Sequence, residues 1–257
     1  MTRSSTALCS AVALLEAIEA GELVVHYQAI YRLGTSQVCG FEALVRWEHP
    51  TEGLLGPDSF LPSDMGGGLG WALTNFVLEQ AIRQCAEWRA AGQDVGVSVN
   101  ISPGPLADEL LPTQVCDLLE RYGVPPEALT VEITEHRCAV DPGGIAVALA
   151  QLARAGVRLS LDDFGTGESS LARLRELPFD ELKIDRCFII HLADRDTDQH
   201  IVRFVTELAH QLGCTVVAEG IEAQAALQLL NEMGVEYGQG FLLHRPAAPD
   251  DNYARRN

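Results

Sequence analysis

Lys183 is the only lysine among the 18 lysine and arginine residues of the chain, and it lies in the segment Glu181-Leu182-Lys183-Ile184-Asp185. A lysine ammonium is a compact charge whose pKa shifts readily on burial, whereas a guanidinium stays charged and planar. A solitary lysine in an arginine-rich chain is therefore a candidate for proton transfer or for orienting a reactant. A surface lysine retained by chance is the alternative, and the residues around Lys183 make it the less favoured one.

Carboxylate and amide side chains stand at the ends of several predicted strands, together with this lysine. The carboxyl ends of the strands meet at one mouth of an α/β barrel, which is where such barrels place their active sites. Buried carboxylates this close together repel strongly unless cations lie among them. Oxygen ligands of this kind suit Mg²⁺ or Mn²⁺ rather than Zn²⁺. The eight residues are Glu42, Asn100, Glu132, Asp162, Asp163, Lys183, Glu219 and Gln239.

Each of these residues also has an ordinary structural interpretation when it is considered alone. Strand alternation is compatible with Glu42 pointing outward, and Asn100 is a typical cap of a helix or turn. Asp162 and Asp163 precede Phe164-Gly165-Thr166-Gly167, which would suit a plain loop. This Gly-x-Gly is a weak nucleotide-binding signal, because the Gly-Lys-Ser/Thr ending of a phosphate-binding loop is missing. No single residue decides the matter, but eight of them at strand ends favour a functional cluster.

Short β-branched segments alternate with longer helical ones, which indicates a parallel α/β fold. The predicted strands are Leu23–Tyr27, Val38–Leu44, Val95–Asn100, Leu129–Ile133, Val157–Asp162, Glu181–Ile184, Thr215–Ala218 and Tyr237–Gly238. The predicted helices are a first amphipathic helix within residues 7–20, followed by Trp71–Ala91, Pro105–Tyr122, Gly144–Ala155, Ser169–Glu176, Gln199–Leu212 and Ala223–Met233.

Eight strands with intervening helices and no linker-like segment predict one TIM-like (β/α)8 barrel domain over residues 1–257, with its core in residues 12–246. The length of 257 residues is typical of such a barrel. The connection between the first two strands is too short for a crossover helix. We therefore expect these two strands to pair antiparallel and the barrel to begin irregularly.

The composition argues against several classes of protein. A net charge of −18 without any basic run disfavours binding to duplex nucleic acid or to an anionic membrane surface. An anionic substrate would therefore need a recruited cation, for which a metal ion is the obvious candidate. Seven scattered cysteines without a Cys-x-x-Cys pair, and the absence of a long apolar stretch, predict a cytoplasmic protein with reduced thiols and no membrane insertion.

Eight motifs follow one another in a fixed order over nearly the whole chain. They are Tyr27-Gln28-Ala29-Ile30, Gly40-Phe41-Glu42-Ala43-Leu44-Val45-Arg46-Trp47, Val99-Asn100-Ile101-Ser102, Glu132-Ile133-Thr134-Glu135, Asp162-Asp163-Phe164-Gly165-Thr166-Gly167, Leu182-Lys183-Ile184-Asp185, Ala218-Glu219-Gly220-Ile221-Glu222 and Gly238-Gln239-Gly240. This ordered set resembles the EAL domain family of cyclic di-GMP phosphodiesterases. The resemblance implies a TIM-like barrel that hydrolyses one phosphodiester bond of cyclic di-GMP to linear pGpG, lowers the level of this second messenger and forms a homodimer.

The resemblance further implies that the active form carries two divalent ions, Mg²⁺ or Mn²⁺. Two such ions can polarise phosphoryl oxygens, and they reverse the local charge of an acidic protein so that an anionic dinucleotide can enter. By this resemblance, the first ion would be held by Glu42, Asn100, Glu132 and Asp162, and the second by Asp162, Asp163 and Glu219.

Roles for the remaining residues are implied in the same way. Lys183 would orient or deprotonate the attacking water, because nearby metal ions disfavour its ammonium form. Arg46 would face a phosphate of the nucleotide. The catalytic residues would be Lys183, Glu42, Glu219 and Gln239, those contacting the nucleotide Gln28, Leu44 and Arg46, and those anchoring loops Glu135 and Glu222.

The chain departs from the family pattern at three places. Ala29 stands where proline is usual, and Glu168 stands where an aromatic residue is commoner. The run Gly66–Gly68 interrupts a stretch that is richer in Ala and Glu in the family, and three glycines should loosen the start of a helix. None of these changes removes an expected catalytic group, so they bear on activity level and dimerisation instead.

Two other functions are compatible with parts of this pattern. A catalytically weak receptor would bind cyclic di-GMP and act through a partner protein, but such members usually lose a metal ligand or the Glu of Glu42-Ala43-Leu44, which this chain retains. An enolase-type barrel would use Mg²⁺ with a Lys-x-Lys or His base. Lys183 has no lysine neighbour, so this second alternative is weak.

Overall fold

The computed structural model describes residues 11–62, 68–134, 142–166 and 174–249. The strands are β1 (Leu23–Arg32), β2 (Gln37–His49), β3 (Gly53–Leu55), β4 (Gly96–Asn100), β5 (Leu129–Thr134), β6 (Arg158–Phe164), β7 (Glu181–Ile184), β8 (Thr215–Ala218) and β9 (Tyr237–Gly238). The helices are α1 (Ala11–Glu19), α2 (Pro57–Phe60), α3 (Gly68–Ala90), α4 (Pro103–Leu106), α5 (Leu111–Tyr122), α6 (Pro142–Arg154), α7 (Arg186–Ile189), α8 (Asp196–Gln211) and α9 (Gln224–Glu232), with a 3₁₀ turn at Pro126–Ala128.

The strands close into a ring, because β1 pairs with β2 on one side and with β9 on the other. From β2 through β4 to β9 the neighbours pair parallel, whereas both pairings of β1 are antiparallel. The predicted TIM-like barrel with an antiparallel first strand is therefore confirmed. The short link between β1 and β2 is the physical cause, since only a hairpin can join strands so closely.

The central strands are buried on both faces, which is why their sequences are nearly continuous apolar runs. In β5 the residues Leu129, Val131 and Ile133 are all fully buried. Glu132 lies between the last two and, by strand alternation, points to the opposite face, into the barrel. Alternation thus turns one polar residue of an apolar strand toward the interior.

The first hairpin is held against helix α3 by aromatic packing. Trp88 meets the ring of Tyr27 edge-on at 4.9 Å and the ring of Phe41 at 4.2 Å, measured between centroids. Aromatic pairs of this kind stabilise beyond their buried area. Phe41 and Tyr27 therefore fix the position of the strands that carry their neighbours Glu42 and Gln28.

Several elements differ from the sequence prediction or escape it, among them the four-residue helices α2 and α7. Strand β3 was not predicted, because it has only three residues and simply extends β2 as a short antiparallel hairpin. The single helix predicted at Pro105–Tyr122 is two helices, α4 and α5, and the Asp108 carboxylate accepts the Leu110 N–H at 2.9 Å in the turn between them. The helix predicted at Ser169–Glu176 lies mostly outside the described residues.

None of the helices within the described ranges is long and apolar enough to cross a bilayer.

Candidate active site

The ammonium of Lys183 lies at the centre of the barrel mouth, surrounded by carboxylates from four strands or strand ends. Its Nζ is 2.7 Å from Glu219 Oε1 and 2.9 Å from Glu132 Oε2. Two more carboxylate oxygens follow at 3.5 Å and 3.6 Å, on Glu42 and Asp162. Lys183 is completely buried, as is Glu132. The structure therefore brings the single lysine and four predicted acidic residues into one contact network.

Two amide side chains complete this network by donating hydrogen bonds to the same carboxylates. The Nδ2 of Asn100 donates to Glu42 Oε1 at 3.0 Å and to Glu132 Oε2 at 3.1 Å. The Nε2 of Gln239 donates to Glu42 Oε2 at 2.6 Å and to Glu219 Oε1 at 3.0 Å. Each amide thus bridges two acids and holds them in place. For Asn100 to serve as an oxygen ligand, its amide would have to turn over.

The backbone conformation places Asp163 beside Asp162, so that both aspartates lie at the barrel mouth. The register between β6 and β7 shifts after Leu161 and resumes at Phe164, so the two aspartates form a bulge. Asp163 has a φ of 57°, a left-handed conformation that Asp tolerates better than most residues. Its N–H donates to Asp162 Oδ1 at 2.9 Å. The bulge therefore allows two consecutive acids to face the same site.

The surroundings of Lys183 keep it protonated in this arrangement. Burial lowers the pKa of a lysine, but the charges of Asp162, Glu132, Glu219 and Glu42 outweigh burial here and raise the pKa of Lys183 well above its usual value. The expectation that metal ions disfavour the ammonium form of Lys183 stays a prediction, because this shift comes from the protein groups alone. Bound cations would be required to lower the pKa of Lys183 instead of raising it.

The pKa values of the surrounding carboxyl groups are also raised, because burial disfavours their charged form. Burial raises the pKa of Glu132 well above its usual range, although Lys183 opposes the shift. Burial likewise raises the pKa of Glu219 to about 8, again against the effect of Lys183. For Asp163, burial and the adjacent Asp162 together raise the pKa to about 6. Bound cations would stabilise the charged form of these carboxylates and so oppose these shifts.

The donor set fits divalent cations. Carboxylate oxygens of Asp162, Asp163 and Glu219 lie within 4.8 Å of one another. The Oε1 atoms of Glu132 and Gln239 are buried without a hydrogen-bond partner among the described residues, which is costly unless a further group satisfies them. When all five carboxylates of the cluster are ionised, they exceed the one ammonium by four charges, the number that two divalent ions would balance.

A cleft of about 510 Å³ opens above this cluster. Gln28 pairs opposite Glu42 in the first hairpin, and Leu44 and Arg46 follow Glu42 at two-residue steps. The pleat therefore places these residues on the face of the sheet that carries Glu42. All of them line the cleft, where Gln28 Nε2 also donates to the carbonyl of His244 at 3.1 Å. The hairpin thus supplies one half-buried guanidinium, Arg46, directly beside the acidic cluster.

Some of the residues predicted to anchor loops, or noted as departures from the family pattern, lie outside the described residues. Glu222 is exposed and lines the cleft. Glu135 and Glu168 lie outside the described residues, as do Gly66 and Gly67 of the glycine run. Ala29 is fully buried in β1, just before the register with β2 shifts between Ile30 and Tyr31.

Arg186 and Phe241 also line the cleft, although neither was singled out from the sequence. Arg186 begins α7 directly after β7 and Asp185, so its place after the lysine strand was a usable signal. Phe241 lies in a turn after Gln239 and stacks under the guanidinium of Arg245, whose Cζ is 4.3 Å from the ring centroid. No periodicity marks a turn residue of this kind, so only the folded chain reveals it.

Comparison with known proteins gives these features a context. Residues 11–246 match the EAL domain family model. The bifunctional diguanylate cyclase/cyclic di-GMP phosphodiesterase MucR of Pseudomonas aeruginosa is 41% identical over 91% of this chain and 34% of its own length. The cyclic di-GMP phosphodiesterase NbdA of the same organism is 39% identical over 91% of this chain and 30% of its own. The chain thus spans about a third of the length of such relatives.

A solved structure supports the same relationship. The PaMucR phosphodiesterase in complex with c-di-GMP is 40% identical to this chain, with a TM-score of 0.87 over 92% of this chain and 96% of that one. The family match covers almost the entire described structure. It therefore includes both the antiparallel first strand of the barrel and the cluster around Lys183. The chain belongs to the EAL domain family.

Proposed function

We propose that this chain is a metal-dependent phosphodiesterase that hydrolyses cyclic di-GMP to linear pGpG. The observation that carries the proposal is the fully buried Lys183 among four carboxylates at the barrel mouth, next to a cleft lined by Arg46. Relatives named as cyclic di-GMP phosphodiesterases and a solved relative in complex with c-di-GMP support the choice of substrate.

Two divalent ions, Mg²⁺ or Mn²⁺, complete the proposed site. When bound, they would polarise the phosphoryl oxygens, lower the pKa of water and stabilise the charge that develops during displacement. In this proposal the residues that hold them are Glu42, Asn100, Glu132 and Asp162 for one ion, and Asp162, Asp163 and Glu219 for the other.

The groups of the protein itself then position the reactants. Lys183 orients or deprotonates the attacking water, because its Nζ lies within 3.6 Å of four of the carboxylates that would hold the ions. Gln239 fixes Glu42 and Glu219 through its two hydrogen bonds. Arg46 meets a phosphate, and a planar guanidinium suits this contact because it can donate two parallel hydrogen bonds.

The reaction is balanced without any further reagent. Water adds to one phosphorus atom, and the bond from that phosphorus to a ribose 3′ oxygen breaks. The 3′ oxygen takes up one proton from the water and leaves as a hydroxyl group. One cut therefore opens the ring and leaves a 5′ phosphate on a linear dinucleotide.

Identification of the nucleotide recovered after binding tests this function against the receptor alternative. Purified protein is mixed with cyclic di-GMP and Mn²⁺, and the nucleotide is released by denaturation and separated by chromatography. Recovery of pGpG alone supports the enzyme. Recovery of intact cyclic di-GMP, from protein that calorimetry shows to bind it, would replace the enzyme by a receptor.

The homodimer implied by the resemblance to the family stays a proposal. Light scattering coupled to size-exclusion chromatography tests it, because a dimer of this chain has twice the monomer mass of 27.8 kDa. Repeating the measurement with Glu168→Phe would show whether this departure from the family pattern alters dimerisation.

A further inference from the structure

The opposite end of the barrel contains a second cavity, of about 470 Å³. It opens where the parallel strands begin, so its lining comes from residues such as Arg158 at the start of β6 and Glu181 at the start of β7. Because β1 runs antiparallel, its last residue, Arg32, reaches the same end of the barrel and pairs with Tyr237 of β9. This cavity is distinct from the cleft above Lys183.

Three arginines, Arg32, Arg89 and Arg158, line this cavity together with three acids, Asp94, Glu127 and Glu181. Arg89 is engaged, because its Nη1 donates to Asp94 Oδ1 and to the carbonyl of Val95, both at 3.0 Å. Arg32 donates to the Tyr237 hydroxyl at 3.1 Å and lies over that ring. Within the described ranges, no carboxylate lies within 4.0 Å of the Arg32 guanidinium, so its charge is not neutralised by an ion pair.

Arg158 also retains hydrogen-bonding capacity toward the cavity. Its nearest acidic oxygen is Glu181 Oε2, at 4.0 Å from Nη2, which is too long for a hydrogen bond. The Arg158 side chain is 37% exposed, whereas Glu181 is buried and its Oε1 has no hydrogen-bond partner in the part of the chain that the structure describes. The buried hydroxyl residues Ser98 and Thr130 add polar groups to the same lining.

We propose that this cavity binds a small phosphorylated molecule, whose phosphate group is held by Arg32 and Arg158. Guanidinium groups with unused N–H donors recognise phosphate oxygens through paired, charge-assisted hydrogen bonds. The volume exceeds the need of a phosphate ion alone, since small-molecule sites in proteins usually begin at about 300 Å³. The site is independent of the hydrolysis proposed at the other mouth.

Calorimetric titration of the metal-free protein, in the presence of EDTA, tests this site with two probes, inorganic phosphate and GMP. One saturable site is expected for the wild type. Arg32→Gln and Arg158→Gln should each weaken binding by about tenfold or more, the usual effect of losing a hydrogen bond to a charged group. GMP binding more tightly than phosphate would identify an organic phosphate as the occupant, and equal affinity would identify free phosphate.

Two further variants keep the test decisive. Glu181→Gln removes a negative charge beside Arg158, so it should strengthen binding, an effect that a folding defect would not produce. Arg46→Gln alters the other mouth and should leave the affinity unchanged. Absence of saturable binding to the wild type would overturn the proposal, as would unchanged affinity in both arginine variants or loss of binding in Arg46→Gln.

Discussion

Replacing Lys183 by methionine removes the positive charge around which the acidic cluster is built, with little change in volume. The ammonium contacts four carboxylate oxygens at 2.7–3.6 Å and is fully buried. Breaking a buried ion pair by removing one partner costs about 3–5 kcal/mol, because an uncompensated charge remains. For a chain of this size that loss corresponds to a decrease of about 6–20 °C in melting temperature.

The loss should depend on pH, since the carboxylates can take up protons in place of their lost partner. Burial raises the folded-state pKa of Glu219 to about 8 and that of Asp163 to about 6, each above its ordinary value. Groups with a raised carboxyl pKa favour the folded state at low pH and disfavour it as the pH rises through these values. Lys183→Met should therefore be strongly destabilised at pH 8 and much less so at pH 5.

Thermal unfolding of the wild type and of Lys183→Met in EDTA, at pH 5 and pH 8, measures this effect. The matched control is Lys183→Met combined with Glu132→Gln, which restores the net charge of the wild-type cluster and should recover at least half of the loss at pH 8. Equal melting temperatures of wild type and Lys183→Met at pH 8 would refute the account. A double variant no more stable than the single one would show that packing, not charge, is responsible.

Other consequences can be checked in parallel. Lys183→Arg should lower turnover of cyclic di-GMP by about two orders of magnitude or more, since a bulkier guanidinium displaces the positioned donor; near-normal hydrolysis with intact nucleotide binding would remove the role assigned to Lys183. Glu42→Gln should weaken Mn²⁺ binding by about tenfold or more in calorimetry, and an unchanged affinity would exclude Glu42 from the ligand set. The stabilisation by Mn²⁺ in thermal unfolding should increase from pH 5.5 to pH 8, because Asp163 and Glu219 must lose protons to bind a cation; stabilisation that is flat or falls with pH would contradict this assignment.

The sequence was sufficient for the barrel and for the convergence of its polar residues, because both follow from strand alternation and from the rule that strand ends share a mouth. Glu132 illustrates this, since one acid between two buried apolar residues can only point into the barrel. The bulge at Asp162 and Asp163 could not be predicted, because a positive φ depends on the register imposed by neighbouring strands. The charge state of Lys183 also required the structure, since burial and ion pairing shift its pKa in opposite directions and only distances decide between them.

The cavity at the end of the barrel where the parallel strands begin could not be predicted from the sequence either. Arg32, Arg158 and Glu181 are separated by long stretches of sequence, and no spacing relates them. Only the antiparallel direction of β1 brings Arg32 to the end of the barrel where Arg158 begins its strand. The antiparallel direction of β1 thus places Arg32 and Arg158 in the lining of one cavity, a proximity that the sequence pattern does not predict.

The most direct test of the central claim is the rate of pGpG formation from cyclic di-GMP by wild-type protein that is stripped with EDTA and then supplied with Mg²⁺ or Mn²⁺. The account predicts no product in EDTA and steady formation of pGpG once either ion is added back, because the ionised carboxylates around Lys183 need cations to balance their charge. Product formation at the same rate in EDTA, or intact cyclic di-GMP with both ions present, would contradict it.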